Sequence, residues 1–259
     1  ISTVLCEGGR YCAAPITHKV TLGEIVSLLE SFRDQPVTLT MPEIPYNRVP
    51  NQWGGIRFCS ESSNNIISGT IIKGGNFGIA VDSAAIDSSA YRLTIENSTI
   101  TCTKRGVLNV SNANVYAYNT LFANGGNTTI SLNGGLALFN HCTIAEYSAS
   151  GRNNSALGLC SYNNEIPLYA EFNNSIVYGS YLQEIKTEES DLVSFRFNHC
   201  LLKAAQSDSA SFVNVIWNED PMFKMETSKR LYDFSADSLS PMVNAGDTLI
   251  RVKYPDCQY

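Results

Sequence analysis

The chain has 259 residues, 44% of them apolar and only 16% charged, with a formal net charge of −6. Globular domains average roughly 25% charged residues, so this surface must be built from neutral polar groups, chiefly Asn, Ser and Thr. A negative field without a basic patch excludes nucleic acid and anionic membrane as partners. No long apolar run marks a transmembrane span, and a start at Ile1 without a charged-then-apolar leader reads as a mature or trimmed form. Elongated all-β folds carry this length on one continuous core, so a single domain suffices.

Residues 1–50 read as a cap and leading segment. Thr21-Leu22-Gly23-Glu24 has capping-box spacing, and Leu22, Ile25, Val26, Leu28, Leu29 and Phe32 form an apolar stripe. This predicts a short helix over about residues 22–33 that caps the first coil, because stacked coils leave open strand edges at their ends. Among eight cysteines, Cys6 and Cys12 stand close enough, in a Gly-containing segment, to suggest a bridge. The others (Cys59, Cys102, Cys142, Cys160, Cys200, Cys257) are expected as free thiols.

Residues 51–217 carry an internal repeat. Six segments align without gaps: Ile67 to Ile72, Ile95 to Ile100, Ala117 to Phe122, Phe139 to Ile144, Phe172 to Val177 and Phe197 to Leu202. Their starts lie 28, 22, 22, 33 and 25 residues apart. A base period of about 22 with insertions fits a coil of three short strands, and the pattern excludes helical solenoid repeats. Positions four and six share an inward strand face, whereas position one falls out of that phase, so the chain must bend at positions two and three. Position three reads Gly69, Asn97, Asn119, His141, Asn174 and His199, residues suited to turns, and these corners should stack as a polar ladder.

A strand precedes each corner, as in Leu93-Thr94-Ile95 and Val115-Tyr116-Ala117, and another follows at Gly106 to Val110 and Thr129 to Leu132. Loops should project around Asp82 to Ala90 and Glu146 to Asn154. Residues 218–259 close the same domain. The fold class is therefore all-β, a single-stranded right-handed parallel β-helix with coils of about 22 residues.

The motifs Gln52-Trp53-Gly54-Gly55-Ile56-Arg57-Phe58, Ile72-Lys73-Gly74-Gly75, Phe139-Asn140-His141-Cys142-Thr143-Ile144 and Asn174-Ser175-Ile176-Val177-Tyr178-Gly179 recur in kind along the chain. So do Phe197 to Lys203, Asp220-Pro221-Met222-Phe223 and Leu239 to Asp247. Together they resemble a family of secreted or lipid-anchored parallel β-helix proteins of gut Bacteroidales, related in fold to pectin lyases. The resemblance runs from about Ile44 to Asp247, while the first forty or so residues depart from the family pattern. It implies a β-helix exported to the extracellular space or outer-membrane surface, lipid-anchored in its precursor, and it brings no activity with it.

Lyases on such a scaffold need a Lys or Arg base beside carboxylates, and glycosidases a carboxylate pair roughly 5–9.5 Å apart. Asp82 with Asp87, and Glu184, Glu188, Glu189 and Asp191, read as solvated loop carboxylates. Glu96 and Glu171 fall on coils about 14 Å apart. No Ser-His-Asp order, phosphate loop or metalloprotease motif occurs. His141-Cys142 and His199-Cys200 offer zinc-type ligands, but the Asn174-Ser175 unit between them implies about 9.6 Å, too far for one ion.

Outward tyrosines suit sugar stacking and equally suit plain strand propensity. The candidates for glycan binding are Tyr116, Tyr118, Tyr147 and Tyr178, with Arg152 in the longest insertion. The expectation is a monomeric cell-surface protein without an evident active site, cofactor or metal that binds extended polysaccharide or another surface polymer. The alternatives are a polysaccharide lyase or glycoside hydrolase, and a structural or adhesive spacer.

Overall fold

The computed structural model describes residues 49–254 apart from 85–89, 149–151, 153 and 227–231, with only the backbone of Arg251. Before these it describes the backbone of strands Thr3–Cys6, Val20–Thr21 and Val37–Leu39. The helix expected over about residues 22–33 and the Cys6 and Cys12 pair lie outside the described residues.

Short strands stack into three sheets along a parallel β-solenoid of about six turns. The first face holds Ile56–Phe58, Ile79–Val81, Leu108–Ser111, Ile130–Asn133, Leu157–Cys160 and Ile185–Thr187. On the second lie Asn65–Ser68, Leu93–Glu96, Val115–Tyr118, Gly135–Asn140, Leu168–Asn173, Val193–Asn198 and Phe212–Val213. The third runs from Val37–Leu39 through Thr70–Lys73, Thr99–Thr101, Leu121–Ala123, Thr143–Glu146, Ile176–Gly179 and Leu201–Leu202 to Ile216–Trp217. Parallel neighbours need a long crossover, and here the other two strands of each coil supply it. Thr3–Cys6 departs from this pattern by pairing antiparallel with Ile56–Phe58.

The repeat positions meet in register, since Ile67, Ile95, Ala117, Phe139, Phe172 and Phe197 are successive partners in one inward row. Phe139, Phe172 and Phe197 stack face to face with centroids 5.1 and 4.7 Å apart, and Phe212 extends the stack at 5.6 Å. That last coil escaped the sequence alignment because its corner, Asn214, follows His199 after 15 residues. Coils average about 25 residues, longer than the base period of 22, because insertions are the rule and not the exception.

Every position-three residue adopts the left-handed conformation, with φ between 47° and 57° from Gly69 to His199 and 50° at Asn214. Glycine, Asn and His accept this region more readily than branched residues do. Corner side chains bond along the axis: Asn119 Nδ2 donates to Asn97 Oδ1 at 2.6 Å. At His199 the ring takes the amide's place. Nε2 lies 3.1 Å from Asn214 Nδ2, which can only donate, so Nδ1 carries the hydrogen and donates to Asn198 Oδ1 at 3.0 Å.

Position four explains its own chemistry. The hydroxyls of Thr70, Ser98, Thr120 and Ser175 donate across the corner to the carbonyl two residues back, at 2.7–2.9 Å. Ser98, Thr120 and Ser175 also accept the N–H of Thr70, Ser98 and Cys142 from the preceding coil. Cys142 and Cys200 make the same backward bond at 3.4 Å through sulfur, so they stand in for serine. Burial pushes the Cys200 thiol up to about 12, against the lowering effect of hydrogen bonds with Ser175 and Asn198.

After Trp217 the chain adds no further coil and turns back along the outside. Phe223, Tyr232 and Phe234 gather around Tyr147 on the third face, with Tyr232 Oη donating to the Tyr147 carbonyl at 3.1 Å. The segment then crosses the corner, where Asn174 binds the Asp247 backbone with both amide atoms at 2.7 and 2.9 Å. A helical turn, Ile250–Lys253, reaches the second face, where Lys253 pairs with Glu171 at 3.1 Å and Tyr254 meets Tyr116. This tail sheathes parts of two faces. No helix among the described residues is long and apolar enough to cross a membrane.

Candidate functional site

The five residues expected to meet a glycan are held away from solvent or folded into the turns. Strand alternation does point Tyr116 and Tyr118 away from the core, but Tyr91 and Tyr254 pack on them, and they are 8% and 7% exposed. Tyr147 sits beneath Phe223 and Phe234 of the tail, where burial, together with Tyr178, Asp220 and Glu184, raises its phenol, and Tyr178 is 7% exposed. Lys203 lies over the Tyr178 ring at 4.6 Å. Tyr116 and Tyr147 are therefore packing for the tail, and Tyr118 and Tyr178 are covered by Tyr116 and Lys203, because a sheet with apolar groups on both sides needs cover on both.

Arg152 corrects the sequence reading more sharply. Expected as an exposed loop cation, it is 4% exposed and forks onto Glu184, which is fully buried instead of solvated. Glu184 also accepts the N–H groups of Ala156 and Tyr181 at 3.0 and 2.8 Å. Glu146 is buried as well, bound by the Gly125 N–H, the Thr129 hydroxyl and the Ser148 N–H at 2.6–2.9 Å. Both carboxylates are consumed in holding turns.

The first face is different. Its outward row, Arg57, Ala80, Asn109, Ser131, Gly158 and Lys186, runs in register over six strands. A second row, Ser111, Asn133 and Cys160, lies beside it. Among the described residues no outward side chain of these two rows is buried. At about 4.8 Å per strand the row spans about 24 Å. Charge is confined to its ends: Arg57 pairs with Asp82 at 3.5 Å, and Lys186 stands at the other end. Between them lie only amide, hydroxyl, thiol and small side chains.

At the Lys186 end the face opens into a depression of about 500 Å³ lined by Asn154, Ser155, Ser180, Tyr181, Leu182, Gln183 and Lys186. Tyr181 is 39% and Leu182 84% exposed there. Among the described residues, two carboxylates directly follow strands of the face: Asp82, paired with Arg57, and Glu188, bound by the Ser161 N–H and hydroxyl at 2.7 and 2.9 Å. They lie beside strands four spacings apart, about 19 Å, well beyond a glycosidase pair.

No family model, curated protein or solved structure matches the chain. Of the resemblance in its motifs, the β-helix architecture is present in the structure. The ladder is also as its spacing implied: Ser175 lies between Cys142 and Cys200, with Thr143, Ile176 and Leu201 in one row. Sequence reasoning missed Asn109, Ser131, Asn133 and Lys186 as a surface. Alternation within Leu108–Ser111, Ile130–Asn133 and Ile185–Thr187 does turn these residues outward, but nothing local tells which outward rows the tail covers.

Proposed function

We propose that the protein binds an extended, uncharged glycan along its first face and carries out no chemical step there. The observation that carries this reading is the chemistry of the open rows: the tail packs on parts of the second and third faces, whose outward groups include Ile66, Leu121, Leu136 and Ile176, while among the described residues the first face keeps small and polar outward rows unburied. Amides and hydroxyls occupy it on two adjacent coils, Asn109 with Ser111 and Ser131 with Asn133, and the rise of one sugar in an extended chain is close to the strand spacing of about 4.8 Å. The same hydrogen bonds can thus be offered to two neighbouring sugars. Tyr181 and Leu182 add an apolar plate at one end, suited to the C–H face of a pyranose.

Export to the cell surface and anchoring through a lipid belong to the same reading, supported by the motif resemblance and the neutral polar surface. Titration with linear neutral oligosaccharides from disaccharide to octasaccharide tests the binding. Affinity should climb with length and level off near about six sugars, one per strand. A flat length dependence, or no binding to any neutral linear glycan, overturns the proposal.

A further inference from the structure

We infer that the buried Arg152–Glu184 pair is a positioning device for the ligand-binding end of the first face, and that Tyr181 is the group it positions. The inference rests on the glycan reading of that face and specifies how one end of it is built. Stability alone does not explain the pair. Taking two charges out of water is costly, and apolar residues of similar volume often serve a fold equally well. Moreover, Arg152 Nε is buried without a hydrogen-bond partner, so part of the desolvation is never recovered.

What the pair supplies is geometry. Glu184 fixes the turn by accepting the Tyr181 N–H at 2.8 Å while it holds the guanidinium fork. The guanidinium carbon lies 4.0 Å from the Tyr181 ring centroid, and Tyr181 Oη donates to the Arg152 carbonyl. Backbone, ring face and hydroxyl of Tyr181 are therefore all anchored to one ion pair. Ser180 Oγ accepts from the same guanidinium at 3.3 Å, and Gln183 is tied by Ala205 N–H at 3.0 Å. A Cβ at Gly179 would collide with the Glu184 carboxylate, so this close approach depends on glycine. With one ring face resting on Arg152, the exposed part of Tyr181 lines the depression as a rigid plate. Rigidity matters because ordering a flexible ring on binding would weaken the complex.

The test is the double variant Arg152→Met with Glu184→Leu, assayed for urea midpoint and for binding of a neutral linear hexasaccharide. The expected result is Kd weakened about tenfold, the scale of one aromatic platform, in a variant that still unfolds cooperatively, with its midpoint lowered because the Ala156 and Tyr181 N–H groups lose the Glu184 carboxylate. Tyr181→Ala should weaken the wild type to the same extent and add nothing in the double variant. Wild-type affinity in the double variant, or additive losses, overturns the inference. Should the double variant fail to fold, Arg152→Lys keeps the charge but not the fork or the planar stack, and must show the same loss. If the wild type binds no glycan, the glycan reading fails by itself. Positioning is then read from fluorotyrosine resonances: the Tyr181 ring should flip slowly in the wild type and fast in the double variant, and equal rates would overturn it.

Discussion

The corner between the second and third faces and the turn between the third and first faces solve the same problem in opposite ways. Each must reverse the chain and leave no buried peptide group unpaired. The corner does so with one recipe in the six coils from Ile67 to Leu202: a left-handed residue at position three and a hydroxyl or thiol at position four, bonded back to position two. The third-to-first turn has no recipe. Its length changes from coil to coil, and separate buried carboxylates secure separate turns: Glu146 by collecting N–H groups, Glu184 through Arg152. The turn from first to second face holds a mirror case, where buried Arg92 donates to the carbonyls of Cys59, Ser62 and Asp82. Repetition makes a scaffold from small neutral groups, whereas a loop without an equivalent neighbour above and below needs a charged rivet. The lesson is that irregular turns, not the ladder, shape the Lys186 end of the first face.

The largest expected effects separate rivet from core. Glu184→Ala strands the Arg152 charge and should cost about 3–5 kcal/mol in urea denaturation. Phe172→Ala, in the regular stack, should cost about 3–5 kcal/mol as well. They part in a second step: Glu184→Leu regains stability when Arg152→Met is added, while Phe172→Ala has no partner whose change refills the cavity.

At the corner, Ser175→Ala leaves the buried Cys142 N–H without an acceptor and should cost about 1–3 kcal/mol. Ser175→Cys should cost less, because Cys142 and Cys200 already serve at this position. Asn119→Ala must hold φ near 47° with an ordinary side chain and should cost about 1–2 kcal/mol, whereas Asn119→Gly should be close to neutral. Equal losses for Ala and Gly would mean the ladder bond to Asn97, and not the backbone conformation, dominates.

The smallest effects belong to the tail. Glu171→Ala removes an ion pair in which Lys253 is largely exposed and should cost under about 0.5 kcal/mol. Partial burial pushes the Glu171 carboxyl up, but hydrogen bonds from Asn173 and Lys253 and the Lys253 charge bring it below its ordinary value. The Leu249 N–H, with help from Asn198 and His199, lowers Asp247 in the same sense. A depressed carboxyl stabilises fully above its unfolded value, about 4, and that contribution is lost as pH falls through the lower folded value. The near-ultraviolet circular dichroism of the Tyr91, Tyr116 and Tyr254 cluster should therefore fade below about pH 4 while the far-ultraviolet sheet signal persists. A single coincident transition would show that the tail is part of the core.

Much of the scaffold was legible because its rules are local and repeated. Residues at the first, fourth and sixth repeat positions showed the two-residue strand period broken once per coil, and Asn or His at the third position marked the break. The coil at Phe212 was missed because recognition leaned on interval, and Asn214 comes early. The candidate site was barely legible. Tyr116, Tyr118, Tyr147 and Tyr178 carry the residue type that binds sugars, yet a returning tail packs on Tyr116 and Tyr147, and Tyr116 and Lys203 cover Tyr118 and Tyr178. Glu184 and Arg152, 32 positions apart, gave no sign that they meet, since loop charges are ordinarily solvated.

What the sequence determined by itself is the coil: where it bends, which side chains enter the core, and the order in which coils stack. Strand alternation and the left-handed preference of Gly, Asn and His act within a few residues, so these features need no knowledge of distant chain. Only the tertiary structure decided which outward rows the tail covers and which loop charges are buried. Both depend on groups far apart in sequence: Asp247 reaching Asn174, Lys253 reaching Glu171, and Arg152 reaching Glu184. Whether a charge pairs or is solvated, and whether an outward ring is roofed or free, is a matter of what arrives opposite it. That is settled by the path of the whole chain.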